Sequence, residues 1–304
     1  MTRTLRIGTR GSELALWQAQ HVAARLREAA GIASELVVVR TSGDRDRSRP
    51  LHQLAGSGFF TRELQQALLE GRVDAVVHSL KDLPVDEPPG LTVSAVLGRE
   101  EPRDALLAPP DRRGPGGLGL RPGAVLGTSS LRRAAQALAL QPELVIKPLR
   151  GNVPTRLRRL EEGEVDAILL AYAGLCRLGI DPHDRLLKVF EVDEFLPAPG
   201  QGALAVETRQ GSAADGLASL LHQETLGEAT ACERELLRQL GGGCHMPLGA
   251  FAVPADGQLR LTAVLGELDA DLRHASLRRA SASGSDRREV ASAVARALAG
   301  GANP

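Results

Sequence analysis

The first two thirds of the chain carry one pattern twice, and a duplicated strand–helix unit leaves few folds open. Ile7-Gly8-Thr9-Arg10-Gly11-Ser12 matches Leu126-Gly127-Thr128-Ser129-Ser130: an apolar strand, a Gly-Thr turn, then a hydroxyl placed to cap the next helix. Glu35-Leu36-Val37-Val38 matches Glu143-Leu144-Val145-Ile146, with Gly43-Asp44 and Gly151-Asn152 following at the same offset. Gly71-Arg72-Val73-Asp74-Ala75-Val76-Val77 then matches Gly163-Glu164-Val165-Asp166-Ala167-Ile168-Leu169. Three matches in the same order predict two related lobes.

Between the matched blocks the apolar periodicity predicts helices over Ser12 to Ala30 and Phe60 to Glu70, and over Leu131 to Gln141 and Pro154 to Glu162. Strands alternating with helices imply largely parallel sheets with right-handed crossovers, whose ligands gather at the carboxyl ends of the strands. A Pro/Gly-rich connection from Gly98 to Gly123 separates the lobes, and Pro197-Ala198-Pro199-Gly200-Gln201-Gly202 introduces one more strand, Ala203 to Glu207. After two helical segments come strand-like Leu248 to Pro254, Leu259 to Gly266 and Ala275 to Ala282, then a final helix near Asp286 to Ala299. The expected fold class is α/β: two related doubly wound lobes resembling periplasmic binding proteins, plus a small α+β third domain. The expected boundaries are 1–98 with 200–217, 104–196, and 220–304.

The repeat converges its loops on one cleft. They carry Arg10 and Ser12, then Thr128, Ser129, Ser130, Arg132 and Arg133, then Arg150 and Arg156, with Lys81 and Asp82 after the strand Ala75 to His78. Guanidinium forks and helix N-terminal amides both suit carboxylate or phosphate oxygens, so a polyanion is expected there. Arginines on helix faces, such as Arg158 and Arg159, are ordinary solvated surface. Of the 37 basic residues only Lys81, Lys147 and Lys188 are lysines, so a lysine inside a motif suggests that a compact ammonium is wanted. The net charge is zero and the seven aromatics are scattered, which argues against a nucleic-acid partner. No apolar run reaches a membrane span of about 18 residues, and strand-like sequence follows Met1 directly; a cytoplasmic protein without a membrane partner is expected.

Cys244 stands in Gly241-Gly242-Gly243-Cys244-His245-Met246-Pro247, a thiol on a backbone with few side chains to shield it. Such a loop suits covalent attachment, although a lone cysteine is more often a small buried residue. Cys176, Cys232, Cys244 and His245 show no metal-ligand spacing, so no metal is expected, and three cysteines in 304 residues make no disulfide scaffold. A two-lobed anion-binding receptor would share this architecture but has no use for the thiol. A cysteine-nucleophile transferase would need a base beside the sulfur.

Taken together, Arg10-Gly11-Ser12, His78-Ser79-Leu80-Lys81-Asp82-Leu83-Pro84, Gly127 to Arg133, Arg150 to Leu157, Leu196 to Gly202 and the Cys244 loop resemble the hydroxymethylbilane synthase (porphobilinogen deaminase) family, in order over nearly the whole chain. The resemblance implies a dipyrromethane cofactor joined by a thioether to Cys244. On this primer four porphobilinogen molecules condense with loss of ammonia, and water then releases hydroxymethylbilane. It implies a catalytic Asp82, which also faces the cofactor. Lys81, Thr128, Ser129, Arg132, Arg133 and Arg156 would hold cofactor acid groups, and Arg10, Ser12, Ser130, Arg150 and Arg156 the substrate or growing chain. A monomer is implied too. The chain departs from the family where Gly56-Ser57-Gly58 lacks a lysine common in relatives, a place that Arg62 partly fills, and at Glu13 and His245-Met246.

Overall fold

The computed structural model describes residues 4–41, 61–243 and 246–300. Gly43-Asp44, the Ser57 loop, Phe60, Cys244 and His245 therefore lie outside the described residues.

The first repeat runs β1 (Leu5–Thr9), α1 (Glu13–Ala30), β2 (Ser34–Val38), α2 (Arg62–Leu69), β3 (Ala75–Ser79), a 3-10 turn (Leu80–Asp82) and β4 (Leu91–Leu97). Ser12 caps α1 by accepting from the Ala15 amide at 3.3 Å, and Gly31 ends it in the left-handed region. The chain then crosses to β5 (Asp104–Leu107) and the second repeat. This comprises β6 (Val125–Gly127), α3 (Leu131–Leu140), β7 (Val145–Lys147), α4 (Val153–Glu161), β8 (Ala167–Ala171), α5 (Tyr172–Leu178) and β9 (Leu186–Val189). A second crossing leads to β10 (Leu204–Arg209), and the chain continues through α6 (Ala213–Ser219), α7 (Glu224–Gln239), β11 (Leu248–Ala255), β12 (Gln258–Leu268), β13 (Ala275–Gly284) and α8 (Arg287–Ala299).

The strand orders show the duplication: β2-β1-β3-β10-β4 in one sheet and β7-β6-β8-β5-β9 in the other. In each, the repeat's own strands are parallel, and the inserted strand is antiparallel to both its neighbours. The expectation of largely parallel sheets holds with this one reversal, which has a simple cause. β4 ends at the carboxyl edge of its sheet, so the chain that crosses over enters the other sheet at the corresponding edge and must run away from it. The stretch Gly98 to Gly123, read as a connection, thus contains a buried sheet strand, β5.

Each sheet is filled from the apolar faces of its helices. Val22 and Leu26 of α1 meet Ile7, Val77 and Val206 in one core; Leu138 of α3 meets Leu126, Leu169, Phe190 and Phe195 in the other. The antiparallel sheet β11-β12-β13 packs Leu236 of α7 and Val294 of α8 against Leu248, Ala250 and Leu261. α3 lies against that sheet with no room to spare: a Cβ on Gly266 would stand 2.4 Å from the Ala135 Cβ.

The two crossings are bonded to each other through Glu100 N donating to Gly202 O at 3.0 Å. Gly202 has φ +88°, and a Cβ there would meet Glu100 O at 2.3 Å. Gly202→Ala is therefore expected to lose at least about 1–3 kcal/mol, read as a lower denaturant midpoint with unchanged slope. An unchanged midpoint would contradict this account of the crossing.

Candidate active site

The carboxyl ends of β3 and β6 face each other across the crossings, and the sequence motifs meet there. On the first side, the 3-10 turn after β3 presents Asp82, exposed, and Lys81, half-buried. Behind them His78 is buried with Nε2 3.1 Å from Glu207, whose other oxygen accepts from Gln65 at 2.9 Å. Ser79 accepts from Gln18 at 2.8 Å. Arg10 and Ser12 stand at the same end of the sheet, after the neighbouring strand β1.

On the second side the hydroxyls hold the turn that starts α3. Thr128 Oγ1 accepts from Ser130 N at 3.1 Å, Ser129 Oγ donates to Leu149 O at 3.0 Å, and Ser130 Oγ accepts from Arg133 N at 3.4 Å as the helix cap. Arg156 projects from α4 with Nε donating to Gly151 O at 2.8 Å. Asn152 caps that helix, and Pro154 suits its first turn.

Arg132 and Arg133, expected as open anion forks, are buried against a carboxylate the sequence reading passed over. Arg132 donates to one oxygen of Asp104 at 2.6 Å and to Leu196 O at 2.7 Å. Arg133 donates to the other oxygen through Nε and Nη2 at 3.0 and 2.7 Å, and to Leu169 O at 3.0 Å. Burial by itself would push the Asp104 carboxyl up, but the two guanidiniums overcome it and hold the group well below the usual carboxylate range. Gln201 completes the link between the sides: its amide nitrogen donates to Asp104 at 3.2 Å and Pro102 O at 2.7 Å, while its oxygen accepts from Lys81 Nζ at 3.2 Å.

Even with Asp104 the cleft remains cationic. Desolvation draws the Lys81 ammonium down to about 8, with Asp82 opposing and Arg133 adding to the shift. Arg156 is drawn down to about 10, again by desolvation first, then by Arg133, with Asp82 opposing. These dependences put Lys81 and Asp82 in electrostatic reach of Arg133 and Arg156 across the cleft. Cations shifted in this direction are short of counter-charge, and a bound carboxylate supplies it.

The Lys81 shift is testable. A depressed lysine is protonated in the unfolded chain at pH values where the folded one is not, so Lys81 makes stability rise with pH between about 8 and its ordinary 10.5. In cofactor-free protein, reductive 13C-methylation should give, beside the N-terminal amine, one lysine NMR signal titrating near pH 8 that is absent in Lys81→Met. Three ordinary lysine titrations would contradict the desolvated site.

Among the described residues no His, Cys, Asp and Glu are grouped to hold a metal, and no helix is long and apolar enough to cross a membrane. Burial raises the thiol of Cys232 to about 12, which leaves it no thiolate near neutral pH, and it also raises Cys176.

A family model described as porphobilinogen deaminase, dipyromethane cofactor binding domain, matches residues 5–215, and a second, porphobilinogen deaminase, C-terminal domain, matches residues 228–299. The chain belongs to the porphobilinogen deaminase family. A porphobilinogen deaminase of Chromobacterium violaceum is 45% identical over 296 residues, 96% of this chain and 92% of that protein. The family makes the chain a transferase, a hydroxymethylbilane synthase of tetrapyrrole biosynthesis that uses a dipyrromethane cofactor and acts on porphobilinogen. Among solved structures, the methionine-binding protein MetQ overlaps 76% of this chain and 94% of its own at TM-score 0.45 and 13% identity. A periplasmic substrate-binding protein from Coxiella burnetii overlaps 73% and 94% at TM-score 0.44 and 17% identity. Membership in the deaminase family rests on neither.

Proposed function

We propose that the deaminase chemistry runs in the cleft between the two α/β lobes, with Cys244 as the covalent anchor and Asp82 as the catalytic group. The cationic excess around Lys81, Arg133 and Arg156 carries this reading. Each pyrrole bears an acetate and a propionate, and the donors present fit such carboxylates. The cofactor, when bound, supplies the nucleophilic terminal pyrrole carbon.

The chain's own residues divide the remaining work. Lys81, Arg132, Arg133 and Arg156 offer donors to cofactor carboxylates, with Thr128 and Ser129 fixing the turn from which two of those arginines rise. Because Asp104 occupies much of the Arg132 and Arg133 forks, their remaining N–H groups are the ones available to a ligand. Arg10, Ser12, Ser130, Arg150 and Arg156 take the incoming porphobilinogen and the growing chain. Asp82 is exposed to the cleft, where its carboxylate stabilises the positive charge that develops on the substrate pyrrole as ammonia leaves, and it accepts the proton that the attacking pyrrole α-carbon gives up once the new carbon–carbon bond has formed. Residues 1–98 with 200–217, 104–196 and 220–304 act as three domains, the last presenting the anchor. The same proposal has the protein working as a cytoplasmic monomer with neither nucleic acid nor membrane as partner, in keeping with its zero net charge.

Porphobilinogen added to the purified protein tests the reading. One ammonia released per porphobilinogen consumed, with enzyme-bound species heavier by one to four substrate increments, is the expected result. Tight binding of intact porphobilinogen without ammonia release would make the chain a receptor instead.

A further inference from the structure

The turn that carries Lys81 and Asp82 is held from outside its own lobe. Arg234, on α7, donates through Nη1 to Leu80 O at 3.3 Å and Leu83 O at 3.0 Å, and through Nη2 to Pro84 O at 2.7 Å. One guanidinium thus meets three backbone carbonyls that bracket Asp82. Leu80 O already accepts from Leu83 N at 3.2 Å, so Arg234 reinforces the 3-10 turn and also ties down the two carbonyls that follow it; a planar fork can reach several carbonyls where a single ammonium cannot. Leu226, two helical turns earlier on α7, packs against the apolar cluster that contains Leu80 and Leu83. Next to Arg234, the buried Glu233 binds both crossings: it accepts from Arg99 at 2.9 and 3.2 Å and from Gly200 N at 2.7 Å. It also accepts from Ala252 N of β11 at 2.9 Å. From this helix the chain runs through Leu240 into the loop of Cys244.

We infer that Arg234 is a positioning residue for the condensation: by clamping the turn that carries Asp82, it fixes that carboxylate in the cleft. This rests on the reading of Asp82 and Cys244 given above. Arg234 need not touch substrate or cofactor. Without it, the Leu80–Pro84 turn keeps its strand but loses the clamp that sets the height of Asp82 in the cleft. Misplacement of a reacting group by about 1 Å costs up to about a hundredfold in rate.

The experiment compares Arg234→Met, Arg234→Lys, Asp82→Asn and the Arg234→Met/Asp82→Asn double variant. Each is assayed for porphobilinogen turnover per cofactor-loaded molecule, with loading measured by intact mass. For Arg234→Met, kcat per loaded enzyme is expected to fall about tenfold to a hundredfold with KM nearly unchanged. Arg234→Lys should fall between it and the parent, and the double variant should be no slower than Asp82→Asn alone. Should Arg234→Met fail to fold, the lysine variant carries the same comparison. A purely structural arginine would lower loading or Tm yet leave kcat per loaded molecule at the parent value, and that result overturns the inference. Losses that multiply in the double variant overturn it as well, because the arginine would then act apart from Asp82. If Asp82→Asn itself turns over normally, the role of Asp82 fails and this inference with it. If Asp82→Asn is slow and both Arg234 variants are fast, only the inference fails.

Discussion

Cys244→Ser is expected to give a folded protein with no covalent increment and no measurable conversion of porphobilinogen. A thioether forms because sulfur at neutral pH has a usable thiolate fraction and high intrinsic nucleophilicity; a serine hydroxyl has neither without a base to activate it. Nothing would then hold a primer in the cleft while the chain grows. The size change is one atom in a glycine-framed loop, so the loss would come from chemistry and not from packing. A second effect follows from the electrostatics. With no cofactor carboxylates to face them, Lys81 and Arg156 keep the desolvated, undercompensated state that draws them down to about 8 and about 10. A ligand that binds only the folded state stabilises it, so the serine variant should also melt several degrees below the loaded parent. Substantial turnover by the serine variant would remove Cys244 from its role.

Asp82→Asn is expected to keep both the fold and the covalent cofactor but to lose roughly 10²–10³ in kcat, the scale of a preorganised charge set against a developing one. The substitution is nearly isosteric and its site is exposed to the cleft, so stability should barely change. Asparagine can still accept a hydrogen bond from a pyrrole N–H, and KM should therefore move far less than kcat. Asp82→Glu restores the charge on a longer stem and is expected to recover part of the rate. If the asparagine variant turns over at nearly the parent rate, the cationic intermediate is stabilised elsewhere.

The lobes were legible because the repeat is written in residues with local consequences: Gly-Thr turns, Ser caps and apolar runs of strand length. The helices expected at Ser12 and Leu131 begin where Ser12 and Ser130 cap them. β5 was not legible. Asp104-Ala105-Leu106-Leu107 is a short apolar run set among prolines and glycines, and only the pairing with β8 and β9, far along the chain, makes it a strand. Asp104 went unseen with it. A carboxylate at the head of an apolar run, with a double-arginine motif still to be neutralised, is the signal that could have found it. Arg234 gave no signal, because its partners are backbone carbonyls about 150 residues away, and carbonyls have no sequence signature. Arg132 and Arg133 show the converse: the motif pointed to the right place, but burial beside Asp104 spends half of their N–H donors inside the protein.

The measurement that bears most directly on the account is the intact mass of the purified, active protein, followed by mapping of the peptide that contains Cys244. The expected result is a covalent increment equal to two pyrrole units, carried by that peptide and absent from those of Cys176 and Cys232. Active protein whose Cys244 is an unmodified thiol would contradict it.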